Sequence, residues 1–170
     1  MFITNVGPAE CAKRIGAKGP GFSVSSACAT AGHALAMAAR LIQAGDADCM
    51  VAGGMEACLT PFALSAFASM RALSTRNDDP QGASRPFSAD RDGFVMAEGG
   101  GVFVLEGLDH ARDRGAEVLA VLEGVGMTMD AYHMVAPDPE GTSVVHAIGR
   151  ALSDAGLEPG DIGYINAHGT

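Results

Sequence analysis

Cys28 is the residue of this sequence best placed to act as a nucleophile. It lies in GFSVSSACATAGHA, residues 21–34, where an alternating stretch gives way to helix-forming residues. A thiol at such a strand-to-helix junction would meet unpaired amides and the positive end of a helix dipole, which favour the thiolate. Small neighbours allow a tight turn and the approach of a substrate. The spacing alone leaves open whether Cys28 is a nucleophile or one more small buried residue.

Two histidines occupy positions that suit a functional site. His168 stands in NAHGT, just beyond a predicted strand, and the carboxyl end of a strand borders the crevice of an α/β sheet. The imidazole there could act as a base, a hydrogen-bond donor or a metal ligand. His133, in DAYHM, could line a pocket, whereas we expect His33 to be a hydrogen-bonded core residue of the helix after Cys28.

The elements that must position these residues alternate along the chain. Helix signals cover residues 8–16, 28–44, 61–70, 108–115 and 142–156, and strand signals cover 21–27, 47–55, 102–106, 118–129 and the segment before His168. This alternation predicts an α/β fold with a largely parallel core. Between them, residues 71–93 form a long polar segment, which predicts a functional loop or lid with internal ion pairs.

Composition excludes several classes of function. The chain has 170 residues, enough for one domain, and 48% of them are hydrophobic, with a core expected to consist of Ala, Val, Leu, Ile and Met. A net charge of −9 argues against nucleic acid or an anionic membrane surface as the main partner. No signal peptide or membrane-length apolar run is evident, so we expect a cytoplasmic location.

Sequence spacing also argues against metal and phosphate sites. The four cysteines form no Cys-x-x-Cys pair, so we expect free thiols, mostly core residues, and no zinc. The triplet Gly99-Gly100-Gly101 precedes a strand rather than a helix, which is wrong for a phosphate loop. Glu98 has apolar neighbours, and it is either paired in the interior or exposed at a turn.

Taken together, the motifs resemble those of the β-ketoacyl-acyl carrier protein synthases, the condensing enzymes of fatty-acid synthesis. The motifs are SSACATAGHA, GDADCMVAGGMEA, RALSTRNDDPQGASRPF, RDGFVMAEGGG, DAYHMVAP and NAHGT, and they follow the family's order along nearly the whole chain. RALSTRND and DAYHM are most similar to the type II, chain-elongating enzymes. The resemblance implies a thiolase-like fold, layered α-β-α-β-α and built of two similar halves. Residues 1–115 would belong to the N-terminal half, with the nucleophile elbow, and residues 116–170 would begin the C-terminal half.

The resemblance also implies roles for individual residues. Cys28 matches the nucleophile that carries the acyl chain, and His168 matches the first of two active-site histidines. Phe67 matches a residue of the acyl pocket, Arg71 a carrier-protein contact, and Thr170 the first threonine that holds the pantetheine arm. We expect no bound cofactor, because the substrates are carried on the phosphopantetheine of acyl carrier protein. Acyl carrier protein and a second copy of the chain, in a homodimer, are the expected partners.

The expected activity is decarboxylative condensation of a malonyl thioester with the acyl chain on Cys28. Family chains are more than twice as long, and their second histidine, a lysine and a Gly-Phe-Gly-Gly loop lie beyond the position of Thr170. We therefore expect an internal fragment that is inactive alone. The alternatives are another thiolase-fold acyl transferase, either a polyketide ketosynthase or a thiolase, and a non-catalytic synthase-like subunit. The presence of Cys28 argues against the non-catalytic subunit.

Overall fold

The computed structural model describes residues 3–170, which divide into two compact units. The first unit contains residues 3–54 and 102–163, and the second contains residues 55–101 and 164–170. The elements in chain order are α1 (Val6–Ile15), α2 (Thr30–Ala44), β1 (Cys49–Glu56), α3 (Pro61–Ser69), β2 (Gly99–Glu106), α4 (Leu108–Asp113) and α5 (Thr142–Ala155). Short 3-10 turns cover Ala27–Ala29, Pro80–Gly82 and Pro159–Asp161. All five predicted helices and the strands predicted at 47–55 and 102–106 are therefore confirmed, with shifted ends.

Local signals explain where the helices begin and end. The hydroxyl of Thr60 accepts a hydrogen bond from the amide of Ala63 at 3.2 Å, and Pro61 follows it at the first helical position of α3. The helix α2 ends at Gly45, whose φ of 80° reverses the chain in a conformation that disfavours other residues. Capping thus fixes the end of α2 and the start of α3, the helices before and after β1 in the sequence.

The strands β1 and β2 form a two-stranded sheet. The amide of Gly107, directly after β2, donates to the carbonyl of Asp48, directly before β1, at 3.3 Å. The strands are therefore antiparallel, and the predicted parallel core is wrong for residues 3–170. The segments predicted as strands, 21–27, 118–129 and the residues just before His168, pair with no other strand among residues 3–170. A strand requires a neighbour that takes up its amides and carbonyls, and sequence pattern alone does not supply one.

The segment 118–129 instead packs against α5. A Cβ added at Gly124 or Gly126 would collide with the carbonyl oxygens of Ala151 and Ala147 of that helix. Only glycine allows this approach of backbone to helix. Arg150 on the same helix donates to the carbonyl of Met127 at 3.3 Å.

The buried side chains are small. In the described part of the chain the buried hydrophobic residues are Ala36, Ala38, Ala52, Ala83 and Ala111. Large apolar side chains remain exposed, as at Phe103 of β2 and at Leu119, which is 88% exposed. Among residues 3–170, the predicted core is therefore confirmed for Ala and wrong for Val, Leu, Ile and Met. A layered fold buries such large side chains between its layers, and these faces are uncovered here. Within residues 3–170, no helix has the length and apolar character needed to span a membrane.

Candidate active site

Cys28 lies in a sharp turn that leads directly into α2. The 3-10 turn Ala27–Ala29 closes through a 3.1 Å hydrogen bond from the amide of Ala29 to the carbonyl of Ser26. Ala27 has a φ of 49°, a left-handed conformation that is strained for a residue with a Cβ. The α-helix begins at Thr30, two residues later than expected, and the Cys28 thiol is exposed. A strained turn thus presents this thiol at the start of a helix.

Side chains on both sides of the turn brace it. The amide of Ser26 donates to the hydroxyl of Thr30 at 2.9 Å, and the Ser26 hydroxyl lies 2.7 Å from Nδ1 of His33. His33 is half-buried and hydrogen-bonded, as the sequence predicted, although it lies outside the small core. The amide of Cys28 donates to no protein oxygen among residues 3–170. It is therefore available to an oxygen atom of a ligand.

Small residues let the sheet approach this turn. A Cβ added at Gly54 of β1 would lie 3.0 Å from the Cβ of Ala31, in the first turn of α2. A larger residue at either position would push the strand and the helix apart. Gly54 thus allows β1 to lie close to the first turn of α2, the helix that follows Cys28.

His168 lies in the second unit, exposed, and it does not follow a strand. The next residue, Gly169, has a φ of 56°, and a Cβ added to it would lie 3.4 Å from the ring of Phe87. Thr170 follows and is also exposed. The sequence analysis did not single out Phe87, although its place after Pro86 in RPFS is a turn signal.

Phe67, predicted to line an acyl pocket, pairs with a second aromatic residue. Its ring centroid lies 5.3 Å from that of Phe94, with the ring planes at 88°. This edge-to-face geometry is favourable for aromatic pairs. Phe94 is held in turn by hydrogen bonds of 3.0 Å with Ala72 and Ser74. Sequence analysis missed Phe94, and the RDGF motif was its one available signal.

Arg71 follows α3 at the position where helices usually place glycine. It has a φ of 55°, its amide donates to Ala68 at 2.9 Å, and the amide of Ala72 donates to Phe67 at 3.2 Å. These two bonds define a Schellman motif. The Arg71 side chain is exposed and has no hydrogen bond or ion pair in the described chain.

The loop that follows Arg71 contains the expected ion pairs. Asp90 pairs with Arg76 and with Arg85, and it also accepts a hydrogen bond from the hydroxyl of Ser88. That hydroxyl, with Arg85, lowers the pKa of Asp90. In the same loop, hydrogen bonds from the hydroxyl of Ser74 and the amide of Thr75 lower the pKa of Asp92.

His133 belongs to the first unit and organises its own loop. Its Nδ1 accepts hydrogen bonds from the amides of Val135 and Ala136 at 3.1 and 3.0 Å. An Nδ1 that accepts two amides carries no proton, so in the neutral ring the proton lies on Nε2. A carboxylate oxygen of Asp130 accepts the amide of Asp138 at 2.9 Å and closes the loop.

The cysteines agree with the prediction in being free but not in their burial. All four cysteines are free, as predicted, but Cys58 is half-buried and the others are exposed, so the prediction of core residues is wrong. Cys49 is exposed as a residue, but partial desolvation of its thiol, followed by the neighbouring Glu106 carboxylate, raises its pKa. Glu98 is exposed and accepts the amide of Leu59 at 2.9 Å. Residues 3–170 contain no cluster of three His, Cys, Asp or Glu side chains suited to a metal ion.

The fold is that of ketosynthases, the thiolase-like fold, present in part. One solved neighbour is a type II polyketide ketosynthase in complex with its acyl carrier protein, AntDE:AntF, with a TM-score of 0.95 and 40% identity over 99% of this chain and 41% of that one. Another is a β-ketoacyl synthase from Burkholderia phymatum, with a TM-score of 0.82 and 42% identity over 86% of this chain and 35% of that one.

The sequence comparisons define the family. Residues 1–111 match the β-ketoacyl synthase N-terminal domain, and residues 119–170 match the C-terminal domain. The chain therefore belongs to the β-ketoacyl synthase family. It is 51% identical over 170 residues to 3-oxoacyl-[acyl-carrier-protein] synthase 2 of Synechocystis, and 50% identical over 168 residues to the chloroplastic synthase I of Arabidopsis thaliana. It spans 41% and 36% of the lengths of these two relatives.

Proposed function

We propose that this chain is the central part of a β-ketoacyl-acyl carrier protein synthase that elongates fatty acids by decarboxylative condensation. The observation that carries the proposal is the exposed Cys28 thiol in a strained turn, beside an amide with no protein acceptor among residues 3–170. A strained turn that presents a thiol and a free N–H suits a nucleophile that must also stabilise an oxyanion.

In the first half-reaction the Cys28 thiolate attacks the carbonyl carbon of an acyl-carrier thioester. The Cys28 amide donates to the resulting oxyanion, and a good donor of this kind contributes about 3 kcal/mol. When the tetrahedral intermediate collapses, the carrier thiolate leaves and takes up a proton. The acyl chain is then held as a thioester on Cys28.

In the second half-reaction a malonyl-carrier thioester loses CO2 and becomes an enolate. His168 donates a hydrogen bond from Nε2 to the thioester oxygen as its negative charge develops. The enolate carbon attacks the acyl carbonyl on Cys28, and the thiolate leaves with the bonding electrons. The product is a β-ketoacyl chain that is two carbons longer and remains on the carrier.

Other residues of the proposed site bind substrates and the carrier. Phe67 would line the acyl pocket, Thr170 would hold the pantetheine arm, and His133 would contact substrate through its Nε2–H. Arg71, exposed and free of a partner in the described residues, would meet the acidic carrier protein. No resident cofactor is needed, because phosphopantetheine belongs to the carrier.

The proposal extends to assembly and architecture. We infer a homodimer, a division into thiolase-like halves at residues 1–115 and 116–170, and a cytoplasmic location. One relative is named chloroplastic, so the compartment varies within the family. We also infer that residues 1–170 alone do not condense, because the second histidine and the Gly-Phe-Gly-Gly loop have no counterpart in them.

A polyketide ketosynthase is the second candidate. The observation that favours it is the TM-score of 0.95 to the AntDE:AntF complex. The higher sequence identity, 51% against 40%, lies with the 3-oxoacyl-[acyl-carrier-protein] synthase 2 of Synechocystis. The two candidates differ in their products, since only repeated condensation without reduction gives a polyketide.

Acyl transfer to the complete synthase tests the proposal. The complete synthase is the full-length enzyme that contains these 170 residues. It is incubated with acyl carrier protein that bears an acyl chain and is then digested for peptide mass spectrometry. The proposal expects one acyl group on the Cys28 peptide, absent in Cys28→Ser and present in the control Cys58→Ser. Acylation of another residue, or none, would overturn it.

A further inference from the structure

The ring of Phe87 lies beside Gly169, the residue that follows His168, on the side where a side chain at position 169 would project. A Cβ placed on Gly169 would lie 3.4 Å from Cε2 and 3.7 Å from Cζ of that ring. Both residues belong to the second unit. The ring therefore closes one side of Gly169, which has a φ of 56° and no side chain of its own to restrict it.

Phe87 occupies a position in its turn that is costly for an aromatic residue. The amide of Ser88 donates to the carbonyl of Arg85 at 3.2 Å, with Pro86 second and Phe87 third in the turn. Phe87 has a φ of 65°, where such a turn normally has glycine. Its side chain is 74% exposed in this structure, so burial of the ring within residues 3–170 does not explain the strain.

The turn itself is anchored from several sides. The Nε of Arg85 donates to the carbonyl of Gly82 at 2.7 Å, and the same guanidinium pairs with Asp90. Asp90 also binds the Ser88 hydroxyl and Arg76. These bonds fix the backbone on both sides of Phe87 and so restrict where its ring can lie.

We propose that Phe87 is a positioning residue that orients His168 by packing against Gly169. This inference rests on the proposed function, because it concerns the decarboxylation step assigned to His168. Without the ring, Gly169 gains conformational freedom and the imidazole loses its fixed direction toward the thioester oxygen. A small misplacement of a catalytic group costs rate in the step that uses it and leaves other steps unaffected.

The test compares the two half-reactions in the complete synthase. In Phe87→Gly, CO2 release from malonyl-carrier protein falls about 10- to 100-fold, whereas acylation of Cys28 stays within about twofold of wild type. Phe87→Tyr, which keeps the ring, restores CO2 release. The matched control Phe62→Leu, at an 85% exposed phenylalanine of α3, changes neither step. An equal fall in both half-reactions, or no fall in CO2 release, overturns the inference.

A spectroscopic measurement separates this inference from the proposed function. In the complete synthase labelled with 13C-histidine, the His168 resonance is assigned by its loss in His168→Ala. It shifts or broadens in Phe87→Gly and stays in place in Phe62→Leu. An unchanged resonance in Phe87→Gly overturns the inference, even if the enzyme condenses. A wild-type enzyme that releases no CO2 refutes the proposed function, whereas the resonance still tests the contact between Phe87 and Gly169.

Discussion

Nδ1 of His33 lies 2.7 Å from the hydroxyl of Ser26, across the turn that presents Cys28. The amide of Ser26 is also bound, by the hydroxyl of Thr30. Thr30 and His33 of α2 thus both hold Ser26, the residue just before the turn. These contacts restrain the strained Ala27, which directly follows Ser26. This geometry makes His33 a brace for the turn that contains Cys28.

Removing the brace should slow acylation of Cys28. His33→Ala loses a half-buried hydrogen bond worth about 1 kcal/mol, which corresponds to about a fivefold slower transfer from acyl-carrier protein. Stopped-flow or radiolabel transfer to the complete synthase measures this rate. The control His146→Ala removes an exposed imidazole from α5 and should leave it unchanged. Equal rates in His33→Ala and wild type would show that the turn needs no brace.

Cys28 should react with iodoacetamide before Cys49 does. Partial burial and the Glu106 carboxylate raise the pKa of Cys49, so less of it is thiolate at any pH near neutrality. Glu106→Gln removes the negative charge and should speed labelling of Cys49 several-fold, whereas the exposed Glu123→Gln should not. Limiting reagent and peptide mapping give both rates. Faster labelling of Cys49 than of Cys28 in wild type would contradict the assignment of the nucleophile.

Arg71→Gly should separate stability from carrier recognition. Glycine relieves the left-handed strain at φ 55°, so the complete synthase should gain roughly 1 kcal/mol of unfolding free energy. The same substitution removes a charge proposed to meet the acidic carrier, and it should raise KM for carrier-bound substrate more than for a short thioester mimic. Arg71→Glu should raise that KM further, whereas Arg71→Lys, which keeps the positive charge, should leave that KM near the wild-type value. If both substrates are affected equally, Arg71 has only a structural role.

The loop after Arg71 should loosen in acid. The pKa of Asp92 is lowered from an ordinary value of 3.8, first by the Ser74 hydroxyl and then by the Thr75 amide. A carboxylate with a lowered pKa stabilises the folded loop above its ordinary pKa, and this contribution is lost as pH falls through the lowered value. The protection factor of the Thr75 amide, which is its intrinsic exchange rate divided by the observed rate, should therefore fall below pH 3.8. Asp92→Asn should lower this protection factor at neutral pH, and Asp78→Asn should not. Protection of Thr75 that is independent of Asp92 would refute this account of the loop.

Local sequence signals were sufficient to predict the helices and the position of Cys28 at the turn before α2. Thr60 and Pro61 mark the start of α3, Gly45 marks the end of α2, and small residues surround the turn at Cys28. Each of these signals acts within a few residues, so it can be read without knowledge of the fold. The motif order was sufficient to identify the family.

Sequence patterns did not predict the contacts between distant segments. The strands predicted at 21–27 and 118–129 fail because pairing depends on a neighbour that alternation does not identify. The proximity of Phe87 to Gly169 brings together residues that are far apart in the chain, and a positive φ at a phenylalanine runs against its propensity. Such departures from local rules concentrate at functional sites.

The separate roles of Cys28 and His168 are tested most directly by CO2 release from malonyl-carrier protein in two variants of the complete synthase. Cys28→Ala removes the acyl-enzyme and condensation but keeps the donors to the malonyl thioester, so slow CO2 release should persist. His168→Ala keeps the thiol and still accepts an acyl group, but its CO2 release should fall by roughly 10²–10³-fold, the cost of one preorganised donor. If Cys28→Ala stops CO2 release as completely as His168→Ala does, the two residues do not act in separate steps and the account is wrong.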